Sequence, residues 1–230
     1  MDIEEQKVVA TEALRRIKDC IKHSYIVGGA IRNWLLDRPA KDIDFYVKPK
    51  ADFSYEDMCS LLSSAGLCDF YLVGAVGNPE KYPTRVINYV LEGVFEEMPI
   101  QVIVLKEMLS PERAVESFPI DISRVWATYY NDELLMGVSK ECQHAFNSKH
   151  ITVLHKPECI KDITYIRKIQ GYFPDWEFVC QYDLDKMEKE FTDQKTKKIY
   201  KEDHCLAVTD LPFLFGTDPT TNVVTPTVEF

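Results

Sequence analysis

Residues Ser24 to Val47 read SYIVGGAIRNWLLDRPAKDIDFYV. A short apolar run, Tyr25 to Val27, ends in the pair Gly28-Gly29. Ile31, Trp34, Leu35 and Arg38 follow at helical offsets until Pro39 stops the helix. From Lys41 to Val47 polar and apolar residues alternate, the pattern of a half-buried strand. Glycines at a strand end let the backbone approach a ligand closely, and a following helix turns free N–H groups toward the same place, which suits a phosphate. On a strand, Asp42 and Asp44 project from one face. Their mutual repulsion costs on the order of 1 kcal/mol at an effective dielectric of about 20 or above, so water or a divalent cation must offset it. Mg²⁺ prefers carboxylate oxygens and brings substrate phosphates with it. Alone, Gly-Gly reads as a turn and Asp-x-Asp as an exposed strand start. About a dozen residues separate Gly29 from Asp42, enough for a two-turn helix and a return. The second strand can then pair beside the first, so that phosphate cradle and carboxylates face one cleft.

Around this stretch, bulk properties narrow the class. At 230 residues the chain suits one large domain, or a main domain with a small appendage. Its 46% hydrophobic and 12% aromatic content supports a sizeable core. No apolar run approaches the roughly 18 residues that cross a bilayer, and MDIEEQKVV lacks the basic start and apolar core of a secretory signal. The expectation is a cytoplasmic protein with no membrane partner. The seven cysteines are widely spaced, odd in number and form no C-x-x-C, which predicts reduced thiols rather than a disulfide framework or zinc cage. A net charge of −10 excludes a generally basic nucleic-acid-gripping surface. One local basic run exists, QKTKKIYK from Gln194 to Lys201, which also reads as a solvated helix face.

Periodicity predicts a helix from about Ile3 to Ile21, with Ile3, Val8, Ala10, Ala13, Leu14 and Ile17 near helical spacing. A third helix begins after Ser54 as N-cap and stops at Gly66. DFYLVGAV, RVINYVLEGV and PIQVIVL read as three further strands, KEMLSPERAVESF as helix broken at Pro111, and IDISRVWATYY with ELLMGVS as a strand pair turning at Asn131–Glu133. The last third is long, charged and helically patterned in KPECIKDITYIRKIQGYF and in DWEFVCQYDLDKMEKEF onward. The tail TDPTTNVVTPTVEF is rich in Thr and Pro. The fold class is therefore α+β: a small mixed β-sheet with flanking helices and a helical C-terminal appendage. The expected boundaries are 1–150 for the sheet domain, 151–215 for the appendage and 216–230 for an extended or disordered tail. The five histidines complete no metal-ligand pattern, and GAVGNPEKYP lacks the full G-x-G-x-x-G of a dinucleotide site. Neither a G-x-S-x-G motif nor a Cys/His nucleophile signature is present.

GGAIRNWLLDRPAKDIDFYV resembles the head-domain motif of the nucleotidyltransferase superfamily that contains DNA polymerase beta. The nearest pattern is that of class II CCA-adding enzymes and bacterial poly(A) polymerases: Gly-Gly-x-x-Arg-Asp, a short helix, then Asp-x-Asp. The match covers about a tenth of the chain. The resemblance implies a nucleotidyltransferase head over residues 1–150, with Asp42 and Asp44 as catalytic ligands of two Mg²⁺ ions, and Gly28, Gly29 and Arg32 as nucleotide-binding residues. SFPIDISRVWAT and DITYIRKIQGYF resemble, in diverged form, a later strand and a later helix of the same branch, which adds Arg124, Arg167 and Lys168 as nucleotide-binding candidates. The aromatics of QGYFPDWEF read first as core packing, with base stacking by Tyr172 or Phe173 as the alternative. Two departures stand out. Asn33 occupies the usual Asp position, and Gln101, in PIQVIVL, falls where a third carboxylate is expected, with Glu92 and Asp121 as the other acids to consider.

The implied function is Mg²⁺-dependent transfer of a nucleoside monophosphate from a nucleoside triphosphate such as ATP to an acceptor hydroxyl. By resemblance the acceptor is an RNA 3′ end such as that of tRNA; a protein side chain or a small molecule are the other acceptor classes. Two rival readings remain: a catalytically degenerate nucleotide-binding and protein-interaction module, and a toxin-like transferase acting on tRNA.

Overall fold

Helix α1 (Ile3–Cys20) starts at a capping box, in which the Asp2 side chain accepts from the Glu5 amide and Glu5 accepts from Asp2. Its buried stripe is Gln6, Val9, Ala10, Ala13, Leu14 and Ile17. Val8, expected in that stripe, is exposed on the other side. This is a computed structural model, which describes residues 1–67, 70–74 and 86–193. The loop 75–83, the basic run 194–201, the tail 216–230 and Cys68, His204 and Cys205 lie outside the described residues.

Strand β1 (His23–Val27) leads through Gly28 into α2 (Gly29–Leu35), and β2 (Ile43–Lys48) returns beside β1. Then come α3 (Tyr55–Ser64), β3 (Tyr71–Gly74), β4 (Ile87–Phe95), β5 (Met98–Leu105), α4 (Pro111–Glu116) and a 3₁₀ turn (Asp121–Ser123). Strands β6 (Val125–Tyr130) and β7 (Glu133–Val138), helix α5 (Lys140–Ser148), β8 (His150–Thr152), α6 (Ile160–Tyr172) and β9 (Glu177–Val179) follow. Seven strands form one sheet in the order β3-β4-β5-β2-β1-β6-β7. Only β2 and β5 pair in parallel, so the sheet is mixed, and the α+β expectation holds. The turn chemistry is as expected at Ser54, which caps α3, at Gly66 with φ +79°, and at Asn131–Asp132, both at positive φ.

Three expectations need correction. Residues Lys140–Ser148 form α5, and His150–Thr152 pairs in parallel with Glu177–Val179, elements the helical periodicity did not show. The segment from Asp175 is therefore not helical throughout; three residues of strand precede a helix that begins at residue 184. Arg124 does not lie in a strand but caps the 3₁₀ turn, because Asp121 breaks the strand: its carboxylate takes the amides of Ile122 and Thr152.

Residues Met1–Leu184 group as one compact unit, which contains α6 and the β8–β9 pair together with the large sheet. Asp185–Phe230 group as a second unit, of which residues 185–193 are described and helical.

The sheet has two different faces. On one, Ile43, Phe45, Val47, Leu91, Val102 and Val104 meet α1, α2 and α3 in a continuous apolar core. On the other, Tyr25, Val27, Tyr46, Val90, Ile103 and Leu105 meet Ala114 and Val115 of α4 in a smaller cluster. Each fully buried Leu, Ile, Val or Phe is worth about 1.5–3 kcal/mol, so the first face carries most of the stability. Among the described residues no helix is long and apolar enough to cross a membrane.

Candidate nucleotide and metal site

The site begins with Gly28. Its φ of +75° and ψ of −125° are closed to residues with a Cβ, and an added Cβ would lie 3.3 Å from the Phe118 ring. Its amide donates to the Val125 carbonyl at 2.9 Å, tying the bend to β6. Gly29 is less constrained, since an added Cβ would meet only Arg32 Nη2, at 3.9 Å. Gly28, at the N-cap of α2, has no side chain to cap the helix. The helix sits firmly all the same. Gln6, buried in α1, accepts from Trp34 Nε1 and the Ala40 amide and donates to the Ala40 carbonyl. That clasp holds both ends of the α2–β2 connection and fixes where β2 begins.

The antiparallel register of β1 and β2 sets Asp44 opposite Val27, the residue just before Gly28. The acid and the glycine bend are thus neighbours, as the spacing predicted. Asp42 lies one residue ahead of the strand and is exposed, whereas Asp44 is half-buried. Burial pushes the Asp44 carboxyl up to about 7; the negative charges of Asp42 and Glu92 add to this, and Lys168 opposes it. Neither aspartate has a hydrogen-bond or ion-pair partner among the described residues. Such a pair fits a divalent cation, which supplies the positive charge the protein withholds. No group of three or more His, Cys, Asp or Glu is gathered for a metal among the described residues, so the protein offers a two-carboxylate set.

Arg32 is buried at 4% exposure and folds back toward Gly29. Its Nε and Nη2 donate to Asn33 Oδ1 at 3.2 and 2.9 Å, and Nη1 donates to Ser123 Oγ at 3.4 Å. Asn33 therefore meets the Arg32 guanidinium with neutral hydrogen bonds, while its amide nitrogen donates to the Pro39 carbonyl. Among the described residues Arg32 has no acidic partner, which leaves a buried positive charge for an anion to neutralise.

Two residues that sequence reasoning missed complete this side. Ser123 Oγ lies 2.6 Å from Tyr165 Oη, which joins the 3₁₀ turn to α6 behind Arg32. A lone Ser and a Tyr 42 positions apart leave no local sequence signal.

The later candidates separate. Lys168 is exposed on α6, its ammonium 5.8 Å from the Tyr172 ring, and its charge reaches Asp44. Arg167 is exposed on the same helix. Phe173 is buried, with Arg38 stacked 4.9 Å from its ring centroid and Arg32 at 6.0 Å. Arg124 is 7% exposed and donates to the carbonyls of Glu116 and Phe118, with His155 Nε2 2.6 Å from its Nη2. It braces the loop that places Phe118 against Gly28. A hollow of about 440 Å³ lies elsewhere, lined by Arg15, Arg16, Asp19, Cys20, Ser64 and Ala65. Glu12 already holds both arginines there.

Gln101 and Glu92 lie in register with Asp44 across β2, β5 and β4. Gln101 stands directly beside Asp44, and its Nε2 donates to Glu92 Oε1 at 2.9 Å. Tyr71 Oη donates to the other Glu92 oxygen at 3.2 Å.

A mixed sheet with a glycine bend, a short helix and an acid on the adjoining strand is the arrangement anticipated from the motif. Solved structures share the fold. One titled "tRNA-processing enzyme (apo form I)" aligns with a TM-score of 0.54 at 19% identity, over 84% of this chain and 47% of that one. The Thermotoga maritima CCA-adding enzyme complexed with tRNA aligns at 0.54 and 16%, over 84% and 46%. A CCA-adding enzyme with CTP aligns at 0.54 and 15%, over 86% and 47%. At these identities the likeness is one of fold, and the chain spans less than half the length of each. No protein-family model matches the chain, and no curated protein matches it in sequence.

Proposed function

We propose that the protein is a Mg²⁺-dependent nucleotidyltransferase that moves a nucleoside monophosphate from a nucleoside triphosphate to an acceptor hydroxyl, at an RNA 3′ end such as that of a tRNA. The observation that carries this reading is the pairing of Val27 with Asp44, which sets beside the glycine bend and the buried Arg32 an acid that has no hydrogen-bond or ion-pair partner among the described residues. Asp42 and Asp44 would hold Mg²⁺, whose chemistry is to neutralise phosphate charge and favour ionisation of a bound hydroxyl. Gly28 and Gly29 leave room for phosphate oxygens, Arg32 balances their charge from below, and Lys168 adds charge from α6. The acceptor oxygen bonds to the α-phosphorus. The bond from that phosphorus to the β-bridging oxygen breaks, its electron pair leaving with pyrophosphate, and the hydroxyl proton passes to water. RNA as acceptor is supported by the fold neighbours, whose titles name tRNA processing and CCA addition.

The test is incubation with Mg²⁺ and each α-labelled nucleoside triphosphate, with and without total RNA. Label should move to RNA with the wild type and not with Asp44→Ala. A second reading, a nucleotide-binding module without chemistry, is favoured by Gln101 in the place of a third carboxylate. Nucleotide binding with no transfer to any acceptor would establish that one.

A further inference from the structure

The cross-strand row Asp44–Gln101–Glu92–Tyr71 runs over four adjacent strands with its side chains on one face. Glu92 is half-buried and has no cationic partner among the described residues: one oxygen takes the Gln101 amide and the other the Tyr71 hydroxyl. This arrangement decides which way the Gln101 amide lies. A carboxylate repels an amide oxygen and attracts an amide N–H, so the nitrogen must face Glu92. The planar amide then turns Oε1 away from Glu92, and β2, with Asp44, is the strand on that other side of β5. Oε1 accepts no hydrogen bond among the described residues. Amide oxygens are ordinary ligands for hard cations.

We infer that Gln101 Oε1 is the third protein oxygen of the metal site, and that Glu92 is a positioning residue that keeps it turned toward Asp44. The inference rests on the metal site assigned to Asp42 and Asp44 under the proposed function. The nearest further acid in this row, Glu92, stands one strand outward, with the neutral Gln101 amide between that charge and Asp44. A carboxylate at position 101 would add a third anion beside two that already oppose one another.

Mn²⁺ binding to the full chain, freed of metal with a chelator and followed by the electron paramagnetic resonance of free and bound ion, tests this without relying on turnover. Thermal melting of each variant confirms that it folds. Asp44→Asn should lose the bound signal. Gln101→Met, similar in length and without an amide, should weaken binding by about tenfold, and Glu92→Gln, which frees the amide to turn over, by about the same factor or less. The exchange Glu92→Gln with Gln101→Glu keeps the hydrogen-bonded pair but puts a charged oxygen where the amide oxygen stood. It should bind Mn²⁺ at least as tightly as the wild type, and more tightly than either single variant that lacks the third oxygen or its support. If Gln101→Met and Glu92→Gln bind like the wild type while Asp44→Asn does not, the metal site stands and the role of Gln101 is overturned. If Asp44→Asn binds like the wild type, the metal site itself is overturned.

Discussion

Two neighbouring rows of the central sheet do opposite things. The row Phe45–Val102–Leu91 is fully buried under the helices of the large core. One residue back along β2 and β5, and one residue on along antiparallel β4, the row Asp44–Gln101–Glu92 points to the other face, only half-buried, with polar groups throughout. The two rows share strands, ladder hydrogen bonds and register. The pleat separates them, because successive side chains on a strand leave by opposite faces. One face is filled until nothing more fits, which holds Asp44 in place from behind. The other tolerates an acid that its surroundings disfavour in ionised form. The cost of that acid is borne by the packing on the reverse side.

Substitutions one residue apart should therefore fail in different assays. Asp44→Ala should cut nucleotidyl transfer by at least about a hundredfold while the protein still melts cooperatively. Phe45→Ala, which opens a cavity against Val102 and Leu91, should cost about 3–5 kcal/mol in a denaturant titration. If Asp44→Ala unfolds the protein, or Phe45→Ala leaves stability unchanged, the division between the faces is wrong.

The glycine bend sharpens the same contrast. Gly28→Ala should cost about 1–3 kcal/mol, because it strains a conformation that excludes a Cβ and pushes on Phe118. Gly29→Ala meets no such obstacle and lies inside α2, so it should be neutral or stabilise by up to about 1 kcal/mol. Loss of triphosphate binding in Gly29→Ala, measured beside an unchanged melt, would report a ligand contact and not a folding defect.

A smaller effect concerns pH. The Asp44 carboxyl is raised, so between about pH 4 and 7 the folded protein holds a proton that the unfolded chain has released. This group favours folding most fully at the acid end, and that contribution fades as pH rises through 7. Without divalent cation, Asp44→Asn should therefore melt roughly 2–4 °C above the wild type at pH 8, and the gap should close toward pH 5. Equal melting temperatures at pH 8 would contradict the burial of Asp44. Smallest of all is Glu12→Gln. Arg15 and Arg16 hold the Glu12 carboxyl down to about 2, yet the cluster lies at the surface of α1, and its loss should cost less than about 1 kcal/mol by thermal melting.

Much of this was legible in the sequence for identifiable reasons. Alternation and β-branched runs marked all seven strands of the large sheet. Gly28-Gly29 and the Asp42/Asp44 spacing marked the bend, the short helix and the returning strand, although that helix ends at Leu35, ahead of Pro39. These signals are local, written within one element or across one connection. Strands β8 and β9 escaped because they are short; a three-residue strand has no periodicity to read, and it exists only because its partner is present. Arg124 was assigned by motif position alone. Its guanidinium is turned onto carbonyls of its own loop, a choice that depends on where residues 116–118 lie.

What the amino-acid sequence determined by itself is the set of elements and the adjacency of the acid strand to the glycine bend, because a connection that short allows few other pairings. What only the tertiary structure decided is the company those residues keep. Ser123 and Tyr165 meet behind Arg32, Lys168 reaches Asp44 from α6, and Glu92 orients Gln101 from two strands away. Sheet order and register bring such groups together across long separations in the chain, and no local pattern of residue types encodes which distant side chains will share a face.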